Sequence, residues 1–248
     1  MRITFRCDPA LIDRLERPVP ARAVLPDWLR AMPAKAFSET HGQDVRTVKQ
    51  CPPFVDAMNH GFMILLPCDV VASDGRLSWD WDLPPLNVET HPRSPLSFHV
   101  PAQVSGTPFH RDDCAIVKFN SFWTIELEPG YSLFAMHPAN RFDLPFRLLT
   151  GMVDADLFTD VGILFPAVWI DPDFEGVLKR GTPVAQCFPV ARTALDLDIG
   201  GFTPEQQQRY DATAATLLGQ QGAYRTRFRA KRPRSAGEIA PETPEIEP

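Results

Sequence analysis

From Gly61 to Val190, apolar and polar residues alternate in short runs punctuated by Pro, Gly and Asp, which is the period-2 signature of β-strands. The runs are Gly61–Leu66, Asp69–Ala72, Arg76–Trp81, Leu96–Val100, Ala115–Phe119, Trp123–Leu127, Tyr131–Met136, Phe146–Val153, Val161–Phe165 and Val184–Val190. Asp74-Gly75 is a hairpin dipeptide, Pro129-Gly130 separates two runs, and Asp171–Glu175 reads as a turn. The pattern predicts no helix longer than about three turns inside this span.

Outside it the period changes. Ile3–Phe5 reads as a strand, and Pro9–Arg17 and Leu25–Met32 as short helical turns, the second with Pro26 in its first turn. Cys51–His60 opens with two prolines, which start a helix but do not continue one. Thr203-Pro-Glu provides an N-cap followed by Pro at N1, and predicts a helix running to Leu218. The organisation expected is a wrapping segment over 1–60, a β core over 61–192, a short C-terminal helix within 193–222, and a basic then acidic tail over 223–248. The end of that tail has almost nothing to bury and is expected to be disordered. The fold class is mainly β, a clip or barrel.

Composition sharpens this picture. The chain has 248 residues, 44% of them hydrophobic, enough for one substantial core. Its 26 prolines favour short strands, edges and ordered loops. The net charge of −6 argues against a general polyanion binder. The five cysteines are scattered without a C-x-x-C pair, a poor zinc or disulfide framework that fits a reducing cytosol. The Met1–Asp8 start is too mixed for a signal peptide, and no apolar run approaches the ~20 residues of a membrane span. A cytoplasmic location without membrane attachment is expected.

The stretch Gly151-Met-Val-Asp-Ala-Asp-Leu-Phe158, followed by Gly181-Thr-Pro-Val-Ala-Gln186 and an apolar strand, resembles the trimeric dUTPase and dCTP deaminase superfamily. That resemblance covers about 60 residues, Pro129 to Val190. It implies a dUTPase-like β-clip. It also implies catalytic roles for Asp154, which would orient a water, for its neighbour Asp156, and for Gln186. Asn140 and Arg141 fall near the family's phosphate-binding element, though its Ser is missing and the Arg displaced, and Phe158 falls near its sugar-stacking aromatic. A hydrolase of this kind would use Mg²⁺. The family's A-x-x-D-L metal motif and its glycine-rich C-terminal loop are not matched, which puts retained catalysis in doubt. The competing reading makes Asp154 and Asp156 turn residues whose carboxylates cap backbone N–H groups.

A wider set of motifs looks like a group of uncharacterised proteins of tailed phages and some bacteria. They are Lys49–Met58, Ser97-Phe-His99 with Gln103, Lys118-Phe-Asn120, Pro129-Gly-Tyr-Ser132, Gly151–Asp156 and Gly181–Gln186. This resemblance implies a context rather than a mechanism.

A second chemistry is open. His110-Arg-Asp112 has the H-x-D spacing of a facial-triad iron site, and His137 or His99 would supply a further ligand for a non-haem iron oxygenase. Solvated loop residues and a hydrogen-bonded strand histidine are the plainer reading of the same positions. The basic run 225–234 would be the one route to nucleic acid, against a plainer role as a solvated segment balancing the acidic tail. Three functions therefore stand: a dUTPase-like binder of a nucleotide or other small polar ligand, an iron-dependent oxygenase, and a phage-associated structural or interaction module. The expected partners are a small polar ligand and further copies of the chain.

Overall fold

The structure is a computed structural model that describes residues 1–86, 91–110 and 116–231. The chain divides into two compact units, Met1–Leu195 and Asp196–Pro248.

The first unit opens with β1 (Thr4–Arg6), a 3-10 turn at Pro9–Leu11, and β2 (Val19–Pro20). Helix α1 (Asp27–Ala31) leads to the hairpin β3 (Lys35–Ser38) and β4 (Gln43–Arg46), and α2 (Pro52–Asn59) follows. Next come β5 (Phe62–Leu65), β6 (Val70–Ser73), β7 (Arg76–Ser78), β8 (Leu96–Phe98) and β9 (Ile116–Asn120). The remaining strands are β10 (Thr124–Glu126), β11 (Tyr131–Met136), β12 (Phe146–Leu148), β13 (Gly151–Val153), β14 (Leu164–Trp169), β15 (Gly176–Leu178) and β16 (Pro183–Ala191).

These strands form several antiparallel sheets, so the fold is mainly β, and the sheets do not close into a barrel among the described residues. A five-stranded sheet has the order β13-β11-β16-β5-β2 and a four-stranded sheet the order β12-β14-β9-β8. The ribbon β15-β6-β7 and the pairs β1-β10 and β3-β4 complete the set. The N-terminal segment thus contributes strands, β1 on β10 and β2 on β5.

One hydrophobic core joins the two large sheets. Phe62, Ile64, Leu133, Ala135, Ala185 and Cys187 come from the first, and Val117, Phe119, Phe146, Leu148, Phe165 and Ala167 from the second. The alternation read from sequence is the alternation of burial: in β6, Val70 and Ala72 are buried while Val71 and Ser73 face out. The β6–β7 turn takes positive φ at both Asp74 and Gly75, the conformation a two-residue hairpin loop needs.

Two strand boundaries differ from expectation. Phe146–Val153 is not one strand: β12 joins the four-stranded sheet and β13 the five-stranded one. The chain changes layers at Leu149 and Thr150, which the continuing period hides. The run at Val161 begins only at Leu164 and continues through Pro166. The Pro166 carbonyl accepts the Leu149 N–H at 2.8 Å, so the proline nitrogen faces the side where the β12 ladder has already ended. The only helical element within the described part of 61–190 is a 3-10 turn at Pro101–Val104.

The second unit contains α3 (Pro204–Gly219) and a π-helical turn at Tyr224–Phe228. Thr203 caps α3 by accepting the Gln206 N–H, and the Gln206 side chain accepts the Thr203 N–H at 2.7 Å. Arg232, Arg234 and the acidic end of the tail lie outside the described residues. No helix among the described residues is long and apolar enough to cross a membrane.

Candidate functional site

The Gly151–Phe158 segment is held by a clamp. Leu133 of β11 pairs with Val153, so Asp154 emerges beside Ser132. The Ser132 hydroxyl donates to Asp154 Oδ1 at 2.6 Å. Arg192, which follows β16, donates to Asp154 Oδ1 at 3.3 Å and to Asp156 Oδ1 at 2.8 Å, and its second Nη grips Asp156 Oδ2. Asp156 Oδ2 also accepts the Gly130 N–H at 2.8 Å. The Arg192 guanidinium, followed by that N–H, pushes the Asp156 carboxyl down to about 2. Asp156 is therefore a capping carboxylate whose side chain is only 5% exposed, whereas the Asp154 side chain is 56% exposed.

Asp154 faces a second feature, a cleft of about 1030 Å³. Its floor comes from Ser121, Phe122 and Thr124, from Val153, and from Gly162–Leu164. Its rim carries Arg6, Cys7 and Asp8 on one side, His91 on another, and Phe158 and Asp160 on a third. The β1–β10 register sets Arg6 opposite Thr124, which brings the N-terminal segment to the cleft. Gly162 is required for the floor: a Cβ there would stand 2.0 Å from the Ser121 carbonyl oxygen. Phe122 is fixed edge-on to Trp81, with ring centroids 4.8 Å apart, and lies 5.3 Å from the His91 ring. Burial, then the neighbouring Asp8 charge, pushes the Cys7 thiol up and keeps it protonated.

Gln186 lies elsewhere. It pairs with Met136 on β11, while Ser132, the partner of Asp154, pairs with Val190. Four residues of strand separate the two levels, roughly 13 Å. Gln186 is 1% exposed. Its Oε1 accepts the Ala139 N–H at 2.8 Å, and its Nε2 donates to the carbonyls of Ala57 and His60 at 2.8 and 2.7 Å. The amide thus ties α2 and the 138–141 turn to β16, and the expected approach of Gln186 to Asp154 does not occur. Asn140 adopts positive φ in that turn. Arg141 forms a two-pronged pair with Asp143, at 2.8 Å from Nε and 2.9 Å from Nη2, so its guanidinium is engaged within the turn rather than held open for a phosphate.

The histidine positions are also placed. His137 is buried, accepts the Leu148 N–H at Nδ1 and therefore donates from Nε2 to the Arg141 carbonyl at 2.8 Å. Burial is the main cause lowering its pKa. With both ring nitrogens on backbone groups, His137 has none free for a metal. His99 Nδ1 meets Gln103 Oε1 at 3.0 Å. His110 is exposed, and Asp112 lies outside the described residues. Among the described residues no group of three or more His, Cys, Asp or Glu side chains could hold a metal ion.

Of the residues singled out by sequence, the structure brings Asp154 and Phe158 to one cleft, sets Asp156 behind it, and places Gln186, Asn140 and Arg141 at a separate structural joint. Arg6, Asp8, His91, Phe122, Asp160 and Arg192 escaped sequence reasoning. Only Arg192 carried a local signal, a cation directly after a buried strand. Comparison with protein-family models and with curated proteins finds no match.

Proposed function

We propose that this chain binds a small organic molecule in the cleft beside Asp154, on a dUTPase-like scaffold of phage type, and that binding rather than hydrolysis is its role. The observation that carries this reading is the cleft: about 1030 Å³, apolar in its floor, with convergent polar groups at its rim. That size and lining are typical of small-molecule sites. The scaffold proposal draws on the mainly β fold and on the aspartate turn opening beside an aromatic, Phe158. Hydrolysis is the weaker half. Gln186 sits four residues along the strand from the level of Asp154 and its amide is engaged with three backbone groups, so it does not position a water there. The oxygenase reading has less support, since the His137 ring is committed to backbone partners.

Saturation-transfer NMR against a panel of nucleosides, their monophosphates and indole derivatives tests the binding role. At least one member is expected to bind with Kd below ~1 mM and to lose its signal in Phe158→Ala. A panel without a single binder would overturn the reading.

An interaction module remains a second reading because of one stretch. Leu197, Ile199 and Phe202 are 74%, 89% and 63% exposed, and the first two alternate with Asp196 and Asp198. Such a pattern suits strand pairing with another chain. Light scattering across a concentration series, with Leu197 and Ile199 replaced by Ser, would separate self-association from a monomer.

A further inference from the structure

We infer that the cleft selects a ligand carrying a protonated amine or guanidinium on an aromatic or apolar body, and not a phosphate ester. This deepens the binding role proposed above and rests on the same cleft. Three carboxylates line it, Asp8, Asp154 and Asp160, against the single guanidinium of Arg6. Arg192, on the Asp154 side, is held in its two-pronged pair with Asp156 and also donates to Asp154 Oδ1. The backbone of the 3-10 turn at the rim adds no free anion donor at its start. Pro9 has no N–H, the Ala10 N–H goes to Asp8 Oδ1 at 2.8 Å, and the Leu11 N–H goes to the Asp8 carbonyl at 2.9 Å.

The floor selects the other end of the ligand. Phe122, Val153, Ile163 and Leu164 provide apolar surface, and Phe122 and Phe158 provide aromatic faces. A cation near those faces gains from the ring quadrupole as well as from the carboxylates. Asp154 is suited to accept from such a ligand because both of its internal donors fall on Oδ1. Asp160 is suited because it is exposed and, among the described residues, its side chain accepts a hydrogen bond only from Thr159, at 3.3 Å.

Three indoles of matched shape and different charge decide the question by calorimetry on the full chain: tryptamine (cation), tryptophol (neutral) and indole-3-acetate (anion). Tryptamine is expected to bind about tenfold more tightly than tryptophol, with indole-3-acetate weakest. Asp160→Asn, at an exposed position that leaves the fold intact, is expected to remove part of the tryptamine advantage and leave tryptophol unchanged. Added salt is expected to erode the same advantage. If all three bind equally, or the anion binds best, the charge selection is overturned and the cleft remains a binding site. If none of the three binds, the selection is overturned, and the site falls with it only if the nucleoside and monophosphate panel also gives no binder.

Discussion

Arg192 grips Asp156 with both terminal nitrogens while also reaching Asp154, Ser132 and the Tyr131 carbonyl. One guanidinium thereby closes the end of β16 onto the aspartate turn and fixes the carboxylate that reaches the cleft. Arg192→Ala is expected to lower the melting temperature and to broaden the amide resonances of 154–158. Arg192→Lys is expected to rescue it only in part, because an ammonium cannot make the two-pronged contact. A Lys variant indistinguishable from the parent in thermal unfolding would show that the fork is not needed.

Asp156 and His137 together predict a two-stage loss of stability in acid. Asp156 has its folded-state pKa pushed down to about 2, so its contribution is complete above the unfolded value near 4 and is lost as pH falls toward 2. His137 is lowered from its ordinary value of 6.5, and as pH drops below that value protons bind preferentially to the unfolded chain. Urea midpoints measured across this range should fall gently below pH 6.5 and steeply below pH 4. Asp156→Asn should shrink the lower phase, to which Asp69, Asp143 and Glu205, also held below their ordinary values, contribute as well, and should leave the upper one; an undiminished lower phase would assign it wholly to those other carboxylates.

Gln186 offers a clean separation of structural from chemical roles. Gln186→Leu keeps the volume but removes the partner of the Ala139 N–H and of the Ala57 and His60 carbonyls, while the Ala57 carbonyl keeps the His60 N–H at 3.4 Å. A buried group left unsatisfied costs about 1–3 kcal/mol, and since these groups are only partly buried a total loss in that same range of about 1–3 kcal/mol is expected from urea unfolding. A catalytic Gln186 would instead give a stable protein with altered chemistry.

Much of the strand content was legible where a strand buries alternate residues, as β6 and β12 do, because burial of one face writes a period of two into the sequence. The β3–β4 hairpin was not legible for the same reason in reverse. It buries nothing fully and leaves Phe37 67% exposed, so it imposes no alternation. β15 was obscured by Gly176, which reads as a turn residue although it pairs with Ala72. The site was half legible. Asp154 and Phe158 sit in a recognisable local motif, but Arg6, Asp8, His91 and Phe122 reach the cleft only through long-range pairing such as β1 with β10. No local pattern records that convergence. Gln186 misled because a buried amide bonded to three backbone groups looks, in sequence, like a site residue.

Two substitutions at the cleft separate its shape from its contacts. Gly162→Ala would force a Cβ to 2.0 Å from the Ser121 carbonyl, against backbone that cannot rotate away. The β14 entry or the Ser121 segment must then shift, at a cost of about 1–3 kcal/mol, and the floor is displaced. Phe158 is 48% exposed and belongs to the rim, so Phe158→Ala removes contact area without disturbing the core. Thermal unfolding should therefore fall by several degrees in Gly162→Ala and barely move in Phe158→Ala. Ligand affinity, read by calorimetry with tryptamine, should drop about tenfold or more in both. Unchanged affinity in Phe158→Ala with a folded protein would move the binding site away from this cleft, whatever Gly162→Ala shows.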